Sequence, residues 1–320
     1  MEKIGLLIEI KDGEVKPANL GVLTAARGAD HDLHAFLLDG DVKRHRAVLE
    51  NFGAHKIVDI RCEEGALTDN PACRAAAVVE AMEHFDIHTL AGLASARGKD
   101  LLARIAAGLG APLVLDCIRF DLAAHTAEKS QYSGKTIARI QLRGSHAIYG
   151  LRPKAVEAQP APGRAEVVSL TATCPASGLE FIQIRQQTGD AIDLTEADVI
   201  ISGGRGMKDA QNFEILFECA ATMGAAVGAS RVAVEAGWVP YSMQVGQTGA
   251  TVSPKVYLAC GISGSVQHFA GMKTARTIIA VNQDPDAAIT RTCDYFAVAD
   301  LFDIIPRLTR RLRQVQKLER

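Results

Sequence analysis

The chain has 320 residues, of which 48% are apolar, 22% charged and 5% aromatic, and its net charge is −2. That length predicts about two domains with aliphatic, alanine-rich cores, and the charge balance excludes a general attraction to nucleic acid or to an acidic membrane. No stretch reaches the roughly 20 apolar residues needed to cross a bilayer, and the apolar run in MEKIGLLIEIKDG is too short for a secretory signal, so a cytoplasmic location without membrane insertion is expected.

The first half alternates short apolar runs with helical patterns. KIGLLIEI (3–10), DLHAFLLDG (32–40) and HKIVDIR (55–61) read as buried strands, separated by helices in NLGVLTAARGA and VKRHRAVLENFGA. A further helix is expected from NPACRAAAVVEAMEHF, because Asn70 is a good N-cap and Pro71 suits the first helical position. IHTLAGLAS, GKDLLARIAAGLG and PLVLDCIRF continue the rhythm as strand, helix, strand. Such alternation predicts a parallel sheet with helices on both faces. The rhythm breaks at SGKTIARIQLRGSHAIYGLRP, where two strand-like runs (135–142 and 146–151) meet at RGS and suggest a hairpin.

QTGDAIDLTEAD is polar and places a domain boundary near residue 190, giving an N-terminal α/β domain over 1–190 and a second over 191–320. The alternation resumes with strand VIISGG (199–204), helix NFEILFECAATMGAA, a VGASR loop, strand VYLACG, helix VQHFAGM and strands TIIAVNQ and YFAVAD. The last helix, LFDIIPRLTRRLRQV, carries Leu301, Ile305, Leu308, Leu312 and Val315 at helical spacing, so one face is expected to pack and the basic face to be solvated.

Seven cysteines (62, 73, 117, 174, 219, 260 and 293) form no C-x-x-C pair, which argues against a disulfide framework, against structural zinc and for a reducing compartment. Eight of the nine histidines lie at or before His146 without ligand-like clustering, and HDLH (31–34) reads as a surface turn. No metal site is expected. His268 differs by its company, but from the residues alone it is as much a packed core histidine as a functional one. No second ligand stands three or four residues away from it.

In the second half, Gly/Ser/Thr segments repeatedly follow apolar strands: SGGRG, VGASR, QVGQTG and GISGSVQH, with NQDPDA after a later strand. Small residues at strand ends let the backbone approach a ligand, exposed N–H groups at helix starts favour phosphate, and Arg205 and Arg231 could balance an anion. Together these segments suggest a dinucleotide. Neither G-x-G-x-x-G nor a P-loop is present, so any such cofactor is held differently from a typical NAD.

The run GRGMKDAQNFEILFECAATMGAAVGASRVAVEAGWVPYSMQVGQTGATVSPKVYLACGISGSVQHFAGM, continuing through AVNQDPDA to LFDIIPRL, resembles the FAD domain of the electron transfer flavoprotein alpha subunit. SARGKDLLARIAAGLGAPLVLD is similar to that family's N-terminal domain. The resemblance implies a Rossmann-like FAD-binding domain at the C-terminal end. It implies FAD contacts from Arg205, Ser230, Arg231, Val245, Gly246, Gln247, Thr248, Ser263, Gly264, Ser265, Val266, Gln267, His268, Asn282, Asp300 and Leu301. Within that set, Arg231 is implied to lie against the isoalloxazine, Thr248 to donate near flavin N5 and His268 to reach the N1–C2=O edge, which carries negative charge when the flavin takes an electron.

Ser230 and Asp300 could instead be simple helix caps. The resemblance also implies an electron carrier without a substrate-turnover site. It pairs with a beta subunit that holds AMP or a second flavin, takes electrons from dehydrogenases such as those acting on acyl-CoA, and passes them to a membrane quinone oxidoreductase. A redox-silent adenylating protein is the rival from another class, and no SGG-x-DS loop supports it.

Overall fold

The computed structural model describes residues 1–62, 67, 70–132, 136–174 and 192–318. The chain divides into two compact units, one of residues 1–130 with 137–187 and the other of residues 131–136 with 188–320.

The first unit opens with β1 (Glu2–Leu7) and a small antiparallel pair, β2 (Ile10–Lys11) and β3 (Glu14–Val15). There follow α1 (Ala18–Ala26), β4 (His31–Leu38), α2 (Val42–Asn51), β5 (Lys56–Cys62), α3 (Pro71–Phe85), β6 (Thr89–Leu93) and α4 (Ala96–Leu109). The caps are local and legible. Asp41 accepts from the N–H groups of Lys43 and Arg44, and Asn70 from those of Ala72 and Cys73 with Pro71 at the helix start. α4 ends at Gly110 in the left-handed conformation. β7 (Leu113–Asp121), β8 (Thr126–Gln131), β9 (Thr136–Gln141), β10 (Ala147–Leu151) and β11 (Glu166–Ala172) complete the unit.

The strands form one nine-stranded sheet in the order β11-β5-β4-β1-β6-β10-β7-β8-β9. One face packs on α1 and α2 through Val22, Leu23 and Leu49, the other on α3 and α4 through Val78, Met82, Leu102 and Ile105. Coverage on both faces explains why the central strands read as continuous apolar runs rather than alternating ones.

Three expectations change here. The supposed hairpin does not form: β10 lies inside the sheet, parallel to both β6 and β7, while β9 lies at the edge next to β8. Every residue of AIYGL is buried, whereas TIARIQ alternates toward solvent, so the two runs suit different places in a sheet. HDLH is not a surface turn but the start of β4. His34 is buried there, and its Nε2 lies 2.8 Å from the Asp32 carboxylate. The cysteines are not all isolated. Parallel pairing of β5 with β11 sets Cys62 opposite Ala172, two residues before Cys174, and Cys73 in the first turn of α3 is joined to Cys174 as a disulfide with a Cα separation of 4.9 Å.

The second unit contains β12 (Val199–Gly203), α5 (Glu214–Met223), β13 (Ala226–Ala229), α6 (Arg231–Glu235), β14 (Val256–Cys260), α7 (Val266–Met272), β15 (Thr277–Asn282), β16 (Tyr295–Val298) and α8 (Leu301–Leu318). All five strands are parallel, in the order β13-β12-β14-β15-β16. Alternate residues feed two cores. Ile201 and Leu258 meet α5 and α8 on one face, while Ile200, Tyr257 and Ile278 meet α7 on the other. VGASR is therefore not a loop: it holds most of β13 and the first residue of α6. On α8, Ile305 is buried and Leu308 and Leu312 pack against the core, but Val315 is exposed, so the packed stripe is one turn shorter than its apolar pattern.

Candidate functional site

In the second sheet, β12 is followed in the chain by β13 on one side, and β14 by β15 on the other. Loops leaving the carboxyl ends of β12 and β14 thus turn in opposite directions and leave a crevice, the usual ligand position in an open parallel sheet. A cleft of about 610 Å³ lies there. Its floor is close backbone contact. Gly206 N–H donates to the Gly261 carbonyl at 3.0 Å, and a Cβ on Gly204 would come within 2.3 Å of that same oxygen. Its wall is the 244–249 loop, held to α7 by Gln247 N–H donating to the Gln267 carbonyl at 2.8 Å. A Cβ on Gly271 would lie 2.4 Å from the Gly246 Cα, so only glycine fits where α7 meets this loop.

Most of the residues expected from the sequence converge on this cleft. Arg205 comes from the end of β12, and Ser230 and Arg231 from the junction of β13 with α6. Val245, Gly246, Gln247 and Thr248 come from the loop, Ser263, Ser265, Gln267 and His268 from the β14–α7 segment, and Asn282 from the end of β15. Four others do not line it. Gly264 turns the chain with φ +83, Val266 is exposed, and Asp300 and Leu301 line a small adjoining pocket of about 60 Å³ that also touches Lys208 and Asn282. Leu301 itself is largely a core residue.

Gly206, Gln244, Gly261, Ile262 and Asp284, which also line the cleft, lie inside the Gly/Ser/Thr-rich segments that the sequence singles out, whereas Lys208 and Val232 were missed. Lys208 carries its charge beside the cleft from a left-handed backbone (φ +68), with Nζ 5.2 Å from the Phe302 ring centre. Nothing in a lysine's identity signals that conformation.

The polar groups are disposed unevenly. His268 is 5% exposed, and its Nε2 lies 3.0 Å from the Tyr257 hydroxyl. A buried phenol with this partner is best satisfied by donating to Nε2, which leaves the ring proton on Nδ1. Burial pushes the His268 pKa down to about 4, and the nearby Val245 carbonyl opposes this without meeting Nδ1 in hydrogen-bonding geometry. The ring is therefore neutral near pH 7. His268 Nδ1 and Ser230 Oγ are both buried with no hydrogen-bond partner within the protein. Orphaned buried polar atoms at a cleft fit a bound ligand that satisfies them.

Ser230 occupies the N-cap position of α6, yet its side chain makes no capping bond. By contrast, Ser265 does cap α7, accepting from His268 N–H at 3.4 Å, and Asp300 accepts from Phe302 N–H at 2.8 Å and from Gln283 at 2.7 Å. Thr248 Oγ1 accepts from Gln244 at 3.0 Å, so its own O–H remains available to donate. Arg231 is exposed at the cleft, and its Nε donates to Glu235 at 2.7 Å, a bond that leaves its other guanidinium donors uncommitted. Arg205, Lys208 and Arg231 give the cleft a cationic border that suits a phosphorylated ligand.

Comparison with known proteins gives this arrangement a context. A family model described as "Electron transfer flavoprotein domain" matches residues 4–174, and one described as "Electron transfer flavoprotein FAD-binding domain" matches residues 193–273. The chain is 33% identical to an electron transfer flavoprotein subunit alpha from Bacillus subtilis over 98% of both proteins. It is 34% identical to a protein of the same name from Pseudomonas aeruginosa over 95% of this chain and 97% of that one. A Mycobacterium leprae protein of that name is 44% identical over 68% of each. The matched FAD-binding segment contains every cleft residue from Arg205 to His268 and stops short of Asn282.

Proposed function

The chain belongs to the electron transfer flavoprotein alpha-subunit family, and from that premise we propose that it is the electron-carrying subunit of a two-subunit complex, with its FAD in the cleft between β12 and β14. The observation that carries this placement is the pair of buried, unpartnered atoms, Ser230 Oγ and His268 Nδ1, at a cationic cleft where the strand order reverses. Bound FAD supplies the redox chemistry, taking up electrons and releasing them singly.

The chain's own residues hold and tune that group. Arg205 and Lys208, with the hydroxyls of Ser263 and Ser265, line the part suited to the pyrophosphate. Asn282, with Asp300 in the adjoining pocket, suits the adenosine end. At the ring end, Arg231 provides a fixed positive charge, Thr248 a free O–H and His268 an Nδ1–H donor. A donor and a cation set in place before reduction favour added negative charge without having to reorganise. His268 acts as a neutral donor, because burial keeps it from being a cation at neutral pH.

In this reading the first unit packs against a beta subunit, which holds AMP or a second flavin. Dehydrogenases such as those acting on acyl-CoA supply the electrons, a membrane quinone oxidoreductase receives them, and the protein works in the cytoplasm with no substrate-turnover site of its own. The family membership and the absence, among the described residues, of a helix long and apolar enough to cross a membrane support that picture.

Produced together with its beta subunit, the protein is expected to be yellow and to release one FAD per alpha chain on denaturation. A colourless complex that takes up no added FAD contradicts the reading. Arg231→Ala is expected to leave the fold intact and to move the flavin midpoint negative by roughly 60 mV, the equivalent of a tenfold change in a one-electron equilibrium. An unmoved midpoint at full flavin content removes Arg231 from the ring environment.

A further inference from the structure

The three cysteines brought together in the first unit are unrelated to the flavin cleft. Cys62 ends β5, Cys174 follows β11, and Cys73 stands in the first turn of α3. Among the described residues, they are the one group of three or more His, Cys, Asp or Glu side chains whose ligand atoms all lie within 4.8 Å of one another. Cys73 and Cys174 form the disulfide, and the Cys62 sulfur lies 2.9 Å from the Cys174 sulfur. Cys73 is buried in the core under α3, whereas Cys62 and Cys174 are only half-buried beside it. A free thiol in contact with one sulfur of a disulfide is the starting geometry for exchange, which needs a thiolate to approach a disulfide sulfur directly.

We propose that Cys62, Cys73 and Cys174 form a thiol–disulfide exchange site, in which the bond from Cys174 moves between Cys73 and Cys62. The Cys62 thiolate attacks Cys174 Sγ, the new Cys62–Cys174 bond forms, and the Cys73–Cys174 bond breaks with its electron pair leaving on Cys73 Sγ. One disulfide and one thiol are present before and after, so no outside oxidant or reductant takes part. The proton lost by Cys62 to solvent is balanced by one taken up at Cys73. The leaving sulfur is well placed. Cys73 is the third residue of a 15-residue helix whose start is capped by Asn70, and the positive end of a helix stabilises a thiolate.

The two linkages differ in what they tie together. One fastens the end of an edge strand to a helix, and the other fastens it to the neighbouring strand.

The test uses the full chain purified in air, without reductant, and held at neutral pH for a time on the order of hours, the scale of uncatalysed disulfide rearrangement. It is then quenched in acid, alkylated and mapped by mass spectrometry. Trypsin leaves Cys62 and Cys73 on one peptide, 62–74, so a second cut after Glu63 and Glu64 is needed to separate them. The expected result is Cys174 linked to Cys73 in some molecules and to Cys62 in others, with the alkyl label divided between the remaining thiols. Cys73→Ser is expected to form the Cys62–Cys174 bond, and Cys62→Ser to hold only Cys73–Cys174.

The wild-type map stands even where a variant folds poorly. Cys174 linked to Cys73 alone, with label only on Cys62, overturns the proposal. So does one equivalent of zinc or copper retained through gel filtration with all three cysteines protected from alkylation, which identifies a thiolate metal site instead.

Discussion

At the scale of single residues, the pairing of Tyr257 with His268 decides how the cleft behaves. The phenol is fully buried, and burial pushes its pKa up, so it stays protonated and keeps its donor. Tyr257→Phe removes that donor and leaves His268 Nε2 buried and unpartnered. The expected cost is about 1–3 kcal/mol of stability, read from the urea midpoint. Because the tautomer is no longer fixed, the flavin midpoint should shift as well, which a purely structural tyrosine would not cause.

His268 also sets a pH dependence. Its folded pKa lies near 4, below the ordinary imidazole value of about 6.5, so between those values the unfolded chain binds more protons than the folded one. Stability is therefore complete above pH 6.5, falls as pH drops toward 4 and levels off below that, with a total loss on the order of 3 kcal/mol. The single tryptophan, Trp238, lies in the second unit and reports its unfolding. The acid loss should shrink in His268→Gln. An equal loss in both proteins assigns the effect to another group of the second unit.

At the scale of elements, α7 and the 244–249 loop are fitted by their backbones. Alanine in place of a helical glycine normally stabilises by about 1 kcal/mol. Gly271→Ala should reverse that sign, because its Cβ would lie 2.4 Å from both N and Cα of Gly246, which are backbone atoms that cannot rotate aside. A loss of about 1–3 kcal/mol is expected, together with weaker FAD retention measured by fluorescence of released flavin. A stabilised variant with full flavin content contradicts this packing.

The same elements mark what the sequence could reveal. α3 was legible because Asn70 and Pro71 act on their own first turn. The cleft segments were legible because glycine and serine at strand ends mark backbone approach, and because several such segments occur in one unit. The place of β10 was not legible: its partners β6 and β7 lie far back in the chain, and nearness in sequence favoured β9. VGASR failed for a related reason, since its strand character comes from pairing with β12 rather than from its own small residues. The cysteine cluster depends on register between β5 and β11, more than 100 residues apart, a relation that spacing along the chain does not carry.

At the scale of the whole molecule, the two units bury separate cores. Leu6, Leu37 and Leu102 belong to the first, Ile201, Tyr257 and Leu258 to the second. The cleft is built entirely from residues of the second unit. A ligand that binds only the folded state stabilises it by RT ln(1 + [L]/Kd), about 2.7 kcal/mol at one hundred times Kd. That stabilisation should therefore appear where the cleft is. Compared with stripped protein, FAD-loaded protein should show slower amide exchange in β12 to β15 and in the 244–249 loop, by up to about a hundredfold at that ligand excess. Exchange in β1, β4, β5 and β6 should stay unchanged. Equal slowing across both sheets would mean that the units open together and that the first sheet shares in holding the cofactor, contrary to the division of the fold. Slowing confined to the first sheet would place the FAD outside the β12–β14 cleft altogether.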